Sequence, residues 1–275
     1  MLNIIFYMDC RAIGLLYYLK NKIIFNPTRY EVHIVGRFSE KGYLTEENHN
    51  LDIELLKNAD IFIYQFIDKE YLIYSTDPFL KNENILSYLS DKCIKIGLQG
   101  TYMDCFWSII PAPIYRNSDF FNSIKDKTPE YIISAFQNKE LDFNLKERFN
   151  KNIEYTLSRE EYWKNGFLND NNYYFISSID FIKNNYKEHR LFFTHCHPTS
   201  YIFIQQTNEI INIINKCYGL NIEIYNDIFT NSIKYPEIPD GDWPDSSYVI
   251  KELDVKWINE TNDDYYLSLI LNNYK

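Results

Sequence analysis

The chain has 275 residues, enough for one large α/β domain or two small ones. Hydrophobic residues make up 45% and charged residues 24%, and the net charge of −10 argues against general binding to nucleic acid or an anionic membrane. The five cysteines (Cys10, Cys93, Cys105, Cys196 and Cys217) form no CxxC pair and no disulfide framework, which points to a reducing cytoplasmic setting, and no apolar run approaches the ~20 residues of a membrane span.

Leu2 to Met8 reads as an apolar strand, followed by a helix over Arg11 to Phe25. Asp9 and Arg11 interrupt the apolar N-terminus, so it does not read as a signal peptide. Tyr30 to Val35 reads as strand and Leu51 to Ala59 as a short helix with Asn50 as its cap. Ile61 to Phe66 is a strand, Glu83 to Ser90 a helix and Cys93 to Leu98 a strand. This alternation implies a mostly parallel sheet flanked by helices, an α/β fold. From Asn117 helices dominate: Pro129 to Gln137, Asn144 to Leu168 and Ser178 to Tyr186. We expect a single α/β domain over 1–275 with a helical insertion over 117–188. Leu191 to Thr194 reads as a buried strand stopped by Pro198, then a helix from Thr199 to Cys217, a late strand at Glu223 to Tyr225 and a loop over Tyr235 to Ser247.

Two strand ends carry chemistry. Cys10 sits where a strand enters a helix, and a thiol there is favoured as thiolate by unpaired N–H groups that can also form an oxyanion hole. His195 and His197 alternate with Cys196, so on a strand both imidazoles share a face. Either can serve as general base. Gln65 closes its strand and can hydrogen-bond a substrate carbonyl or phosphate. Arg11, Arg37, Arg116 and Arg190 are the arginines near strand ends or loops that can hold a phosphate. No metal site is expected, because the histidine pair lacks further ligands even if His33, His49 or Asp180 are considered. Neither GxGxxG, a Walker loop nor GxSxG is present.

The order of these blocks resembles the WcbI-type polysaccharide biosynthesis family, acetyltransferases of capsule pathways. That family has strand-Gly-Asn-Cys-Gln-helix where this chain has Met8-Asp9-Cys10-Arg11. Its block of aspartate, apolar strand and glutamine matches Asp60 to Gln65, and its arginine, leucine, phenylalanine … His-Pro block matches Arg190 to Pro198. The resemblance implies an α/β fold distantly similar to SGNH hydrolases. It also implies a coenzyme A or acetyl-CoA cleft and acetyl transfer to the hydroxyl of a sugar or polysaccharide precursor. Its site would comprise Cys10, His197, His195 and Gln65 as catalytic candidates, with Arg11, Asp9 (at the family's asparagine) and Arg190 on the cofactor side. The carboxylate of Asp9 opposes a thiolate at Cys10 and Arg11 supports it. Two other readings stay open: an SGNH-like esterase with Cys10 as nucleophile, and a non-catalytic relative that binds CoA or glycan.

Overall fold

A computed structural model describes residues 1–8, 11–31, 53–69, 74–80, 84–100, 103–107, 118–194, 196–229 and 245–273. The chain divides into two compact units. The first comprises Met1–Gly100, Thr156–Ser178 and Ser200–Tyr235, and the second Thr101–Tyr155, Ile179–Thr199 and Pro236–Lys275.

The first unit is built on a five-stranded parallel sheet: β1 (Asn3–Met8), β2 (Asn26–Glu31), β3 (Ile61–Gln65), β4 (Ile94–Leu98) and β5 (Tyr173–Ile176), in the order β2-β1-β3-β4-β5. β1, β3 and β4 read as near-continuous apolar runs because both of their faces are covered. Period-two alternation sends Ile4, Phe6 and Met8 to one face and Ile5 and Tyr7 to the other. The first face packs on α1 (Arg11–Lys20) and α7 (Ser200–Tyr218). Gly14 of α1 faces Phe203 of α7: a Cβ there would run into the Phe203 ring. The second face packs Phe62, Tyr64 and Phe66 against Leu56 of α2 (Ile53–Lys57) and Trp163 of α5 (Leu145–Gly166), with Phe66 stacked on Trp163 at 4.4 Å between ring centroids.

The second unit contains α3 (Ser118–Ile124), α4 (Pro129–Gln137), the start of α5, α6 (Ile179–Asn185), α8 (Ser247–Leu253) and α9 (Asp263–Asn273). Thr128 caps α4, with Pro129 next to it. Tyr248 donates to the Phe136 carbonyl at 3.0 Å and packs edge-on against Phe143. Glu252 accepts from the Phe143 and Leu145 amides at 3.1 and 2.8 Å, closing the N-terminus of α5; burial nevertheless holds its carboxyl above the ordinary carboxylate value.

Several expected elements differ. The second strand begins earlier, at Asn26, and the part expected over 32–35 lies outside the described residues, as does Asn50. The helix expected at Glu83 to Ser90 is a single 3-10 turn, Ile85–Tyr88, capped by Asn84. The stretch 117–188, read as a helical insertion, also contributes β5 to the sheet. Leu191 to Thr194 is not a strand of the sheet. It forms one isolated antiparallel bridge, Phe192 to Pro198, and folds back on itself: the Phe193 amide donates to the His197 carbonyl and the Thr199 amide to the Leu191 carbonyl, both at 2.8 Å. Leu191 and Phe192 are buried, so their apolar run reported burial, not extended pairing. Nor is Glu223 to Tyr225 a strand. Asn208 and Asn215 of α7 take that segment's backbone instead, exchanging amide hydrogen bonds of 2.8–3.0 Å with Tyr225 and Ile222.

Candidate functional site

In an open parallel sheet of order 2-1-3-4-5, ligands bind beyond the C-terminal strand ends where the order reverses, between β1 and β3. Tyr7 lies opposite Tyr64, so the two strands finish together, at Met8 and Gln65. Beyond β1 the chain enters α1. Arg11 is the first residue of that helix, and the amides of a first turn have no intrahelical acceptor.

Arg11 is only 9% exposed and Gln65 1% exposed, and Arg11 Nη2 donates to Gln65 Oε1 at 3.1 Å. This bond orients the carboxamide, so its Nε2 end is the donor end. A Cβ at Gly100 would strike the Arg11 guanidinium, so a glycine is what lets the chain after β4 pass the arginine. Beside it Gln99 is buried, and its Oε1 lacks a hydrogen-bond partner among the described residues. The Gln65 carbonyl accepts from Thr76 Oγ1 at 3.2 Å, and the Ile67 amide donates to the same hydroxyl at 2.8 Å. A short loop is thereby folded back on the end of β3.

His197 and Arg190 belong to the second unit. His197 is 9% exposed; its Nδ1 lies 2.7 Å from Thr194 Oγ1 and 3.9 Å from Cys196 Sγ. If Nδ1 carries the proton, Thr194 accepts it and Nε2 is left basic. Arg190 pairs with Asp245 at 3.3 Å, sits 5.6 Å from the Trp257 ring centre, and its carbonyl accepts from Thr199 Oγ1. Its guanidinium thus takes part in holding the loop. Two other thiols are unreactive: burial pushes Cys93 up to about 12, and burial, then the neighbouring Asp104, raises Cys105 well above the ordinary range.

Of the residues singled out in the sequence, the structure brings Gln65 and Arg11 together. Asp9, Cys10 and His195 lie outside the described residues, as do His33, Arg37, His49 and Arg116. Among the described residues no group of three or more His, Cys, Asp or Glu could hold a metal ion, and no helix is long and apolar enough to cross a membrane. Sequence reasoning missed Thr194 and Gln99. Thr194 was legible only as part of an apolar run; Gln99 directly follows a strand, the same signal that marked Gln65.

No protein-family model matches the chain, and no curated protein sequence does. Among solved structures, the chain is similar to WcbI, described as a novel polysaccharide biosynthesis enzyme, in a native form without the disulfide bond between CoA and one of its cysteines. The identity is 16%, the TM-score 0.63, and the match covers 98% of this chain and 88% of that one. The chain has the α/β fold of WcbI, the family that its three sequence blocks resemble.

Proposed function

We propose that this protein is an enzyme of polysaccharide biosynthesis, an acetyl-CoA-dependent O-acetyltransferase acting on a sugar hydroxyl of a capsule or surface polysaccharide. The observation that carries this reading is the Arg11–Gln65 pair at the β1/β3 switch point, beside the first turn of α1. A helix N-terminus with an adjacent arginine suits a phosphorylated, thioester-bearing donor. WcbI, with this fold, is itself described in connection with CoA.

In the proposed reaction His197 takes the proton from the acceptor hydroxyl at Nε2, with Thr194 holding Nδ1. The hydroxyl oxygen attacks the thioester carbonyl. Amides of the first turn of α1 and the Gln65 carboxamide stabilise the oxyanion. The C–S bond then breaks, and the CoA sulfur leaves with the proton from His197. A covalent route through Cys10 is the second reading, supported by its place in the sequence where β1 gives way to α1. Asp9 disfavours a resting thiolate there, which weighs toward direct transfer.

A thermal-shift titration tests the reading. Acetyl-CoA at about 100 times its dissociation constant should stabilise the fold by about 2.7 kcal/mol. Absence of any shift at millimolar acetyl-CoA would remove the donor from the proposal. Intact mass without acceptor separates the routes: direct transfer leaves no adduct, and a thioester on Cys10 indicates the covalent one.

A further inference from the structure

Three residues beyond Gln65, the first unit opens into a cavity of about 320 Å³, lined by Asp68, Lys69, Asp77, Arg159, Tyr162 and Trp163 among others. Nothing in the switch-point chemistry uses it. Its chemistry is specific. Asp68 and Arg159 form an ion pair at 2.8 Å, and Tyr162 Oη donates to the Asp77 carboxylate at 3.0 Å. Two carboxylates and two cations, Asp68 and Asp77 with Lys69 and Arg159, leave these four side chains without net charge. Such a lining does not attract a nucleotide or a phosphate, which would need an excess of positive charge. It suits a neutral ligand rich in hydroxyls.

The apolar part of the lining is aromatic, Tyr162 and Trp163, and Phe79 lies beside Tyr162 outside the lining. Tyr162 is 45% exposed and Phe79 52% exposed, and their rings meet at 4.9 Å between centroids, tilted by 53°. Trp163 backs Tyr162 edge-on at 5.7 Å. An exposed ring beside fixed polar groups presents what stacking against the C–H face of a sugar ring requires. The volume is at the small end of the ~300–1,000 Å³ typical of small-molecule sites. It holds a sugar unit and not a whole coenzyme.

Position links the cavity to the switch point. Three residues span at most ~11 Å, so Asp68 cannot lie farther than that from Gln65. Asp77 is bonded in sequence to Thr76, whose hydroxyl donates to the Gln65 carbonyl. One loop therefore carries both the cavity wall and the support of Gln65.

We propose that this cavity is the subsite for a neutral glycosyl unit of the acceptor, stacked on Tyr162 and hydrogen-bonded by the Asp68–Arg159 pair. The proposal rests on the acceptor being a saccharide, as the functional reading has it. It adds where the saccharide binds and that the bound unit is uncharged.

Saturation-transfer NMR tests it with methyl glycosides of glucose, galactose, mannose and N-acetylglucosamine at millimolar concentration. At least one should receive saturation from the wild-type protein, most strongly at the C–H protons of one ring face. Tyr162→Ala should weaken that binding about tenfold or more, the loss of one aromatic stack. Tyr162→Phe, which keeps the ring, should bind within about threefold of wild type. Ser158→Trp, which fills the mouth from an exposed position, should also abolish binding and serves if Tyr162→Ala proves unstable. No transfer to any of the four sugars, or equal transfer in wild type, Tyr162→Ala and Ser158→Trp, overturns the subsite. Acetyl-CoA binding is measured on the same samples. Sugar binding at Tyr162 without acetyl-CoA binding leaves the subsite standing and removes the acetyl-transfer reading; the reverse result removes the subsite alone.

Discussion

Two regions of the molecule carry candidate chemistry, and they hold it by different means. Gln65 ends the buried strand β3 and Arg11 opens the helix that follows β1, where ladder register and a core on both faces of the sheet fix the strands. His197 stands in a loop that bonds to itself through the Phe193, Thr199 and Thr194 contacts, while Arg190 is engaged with Asp245 and Trp257. The first region depends on apolar packing, which is indifferent to pH. The second depends on hydroxyls, carboxylates and single hydrogen bonds. A residue on a strand end is positioned by the whole sheet; one in a loop is positioned by the few partners it touches.

The largest effect should come from removing the loop-borne base. His197→Ala should lower the rate of acetyl transfer by roughly 10²- to 10⁴-fold, the usual range for a general base, while acetyl-CoA affinity stays near wild type. A variant that transfers at the wild-type rate would take His197 out of the reaction.

Next is the packing beneath the first region. Phe203→Ala removes the ring that fills the space beside Gly14 between α1 and α7. It should cost about 3–5 kcal/mol in urea denaturation. A cost under about 1 kcal/mol would show that the start of α1 is not held by this contact.

How much of the fold was legible depends on range. β1, β3 and β4 announced themselves as short apolar runs, and α4 was bounded by Thr128, Pro129 and the end of its amphipathic pattern. Those are local signals. β5 is four residues, three of them aromatic, set between charged helical stretches, and only its place beside β4 makes it a strand. Leu191 to Thr194 had the composition of a strand without a strand partner. α8 and α9 follow a Pro-, Gly- and Asp-rich segment and are held by Asp263 and Ser246, contacts made by folding. At the site, Gln65 was visible as the polar end of an apolar strand. Its bond to Arg11 was not, because it requires β1 and β3 to be neighbours although 54 positions separate the two residues in sequence.

A smaller effect sharpens the role of Thr194, which we regard as a positioning residue. Thr194→Val keeps the shape and removes the partner of His197 Nδ1. It should reduce kcat by about tenfold, the worth of one hydrogen bond, and move the acidic limb of the pH–rate profile, where the general base loses its proton. Thr194→Ser should restore both. Unchanged kcat and profile in Thr194→Val would mean the hydroxyl does not set the imidazole.

The smallest effect is electrostatic. Burial alone would raise the Asp263 carboxyl, but bonds from Lys139 and Ser247 outweigh it and hold the group below its ordinary 3.8. A carboxyl lowered on folding contributes stability above its unfolded pKa, and that contribution is lost as pH falls through the folded value. Asp263→Asn should therefore be less stable by about 1 kcal/mol at pH 7, with the gap closing below pH ~3.8. A gap independent of pH would assign the effect to packing.

We propose that the donor binds at the β1/β3 switch point, with Arg190 serving its own loop through Asp245. Calorimetric titration of acetyl-CoA into wild type, Arg11→Ala and Arg190→Ala tests it most directly. Arg11→Ala should weaken binding by about tenfold or more, the loss of one charge-assisted hydrogen bond, and Arg190→Ala should bind as wild type does. Unchanged affinity in Arg11→Ala, or a loss confined to Arg190→Ala, would contradict it.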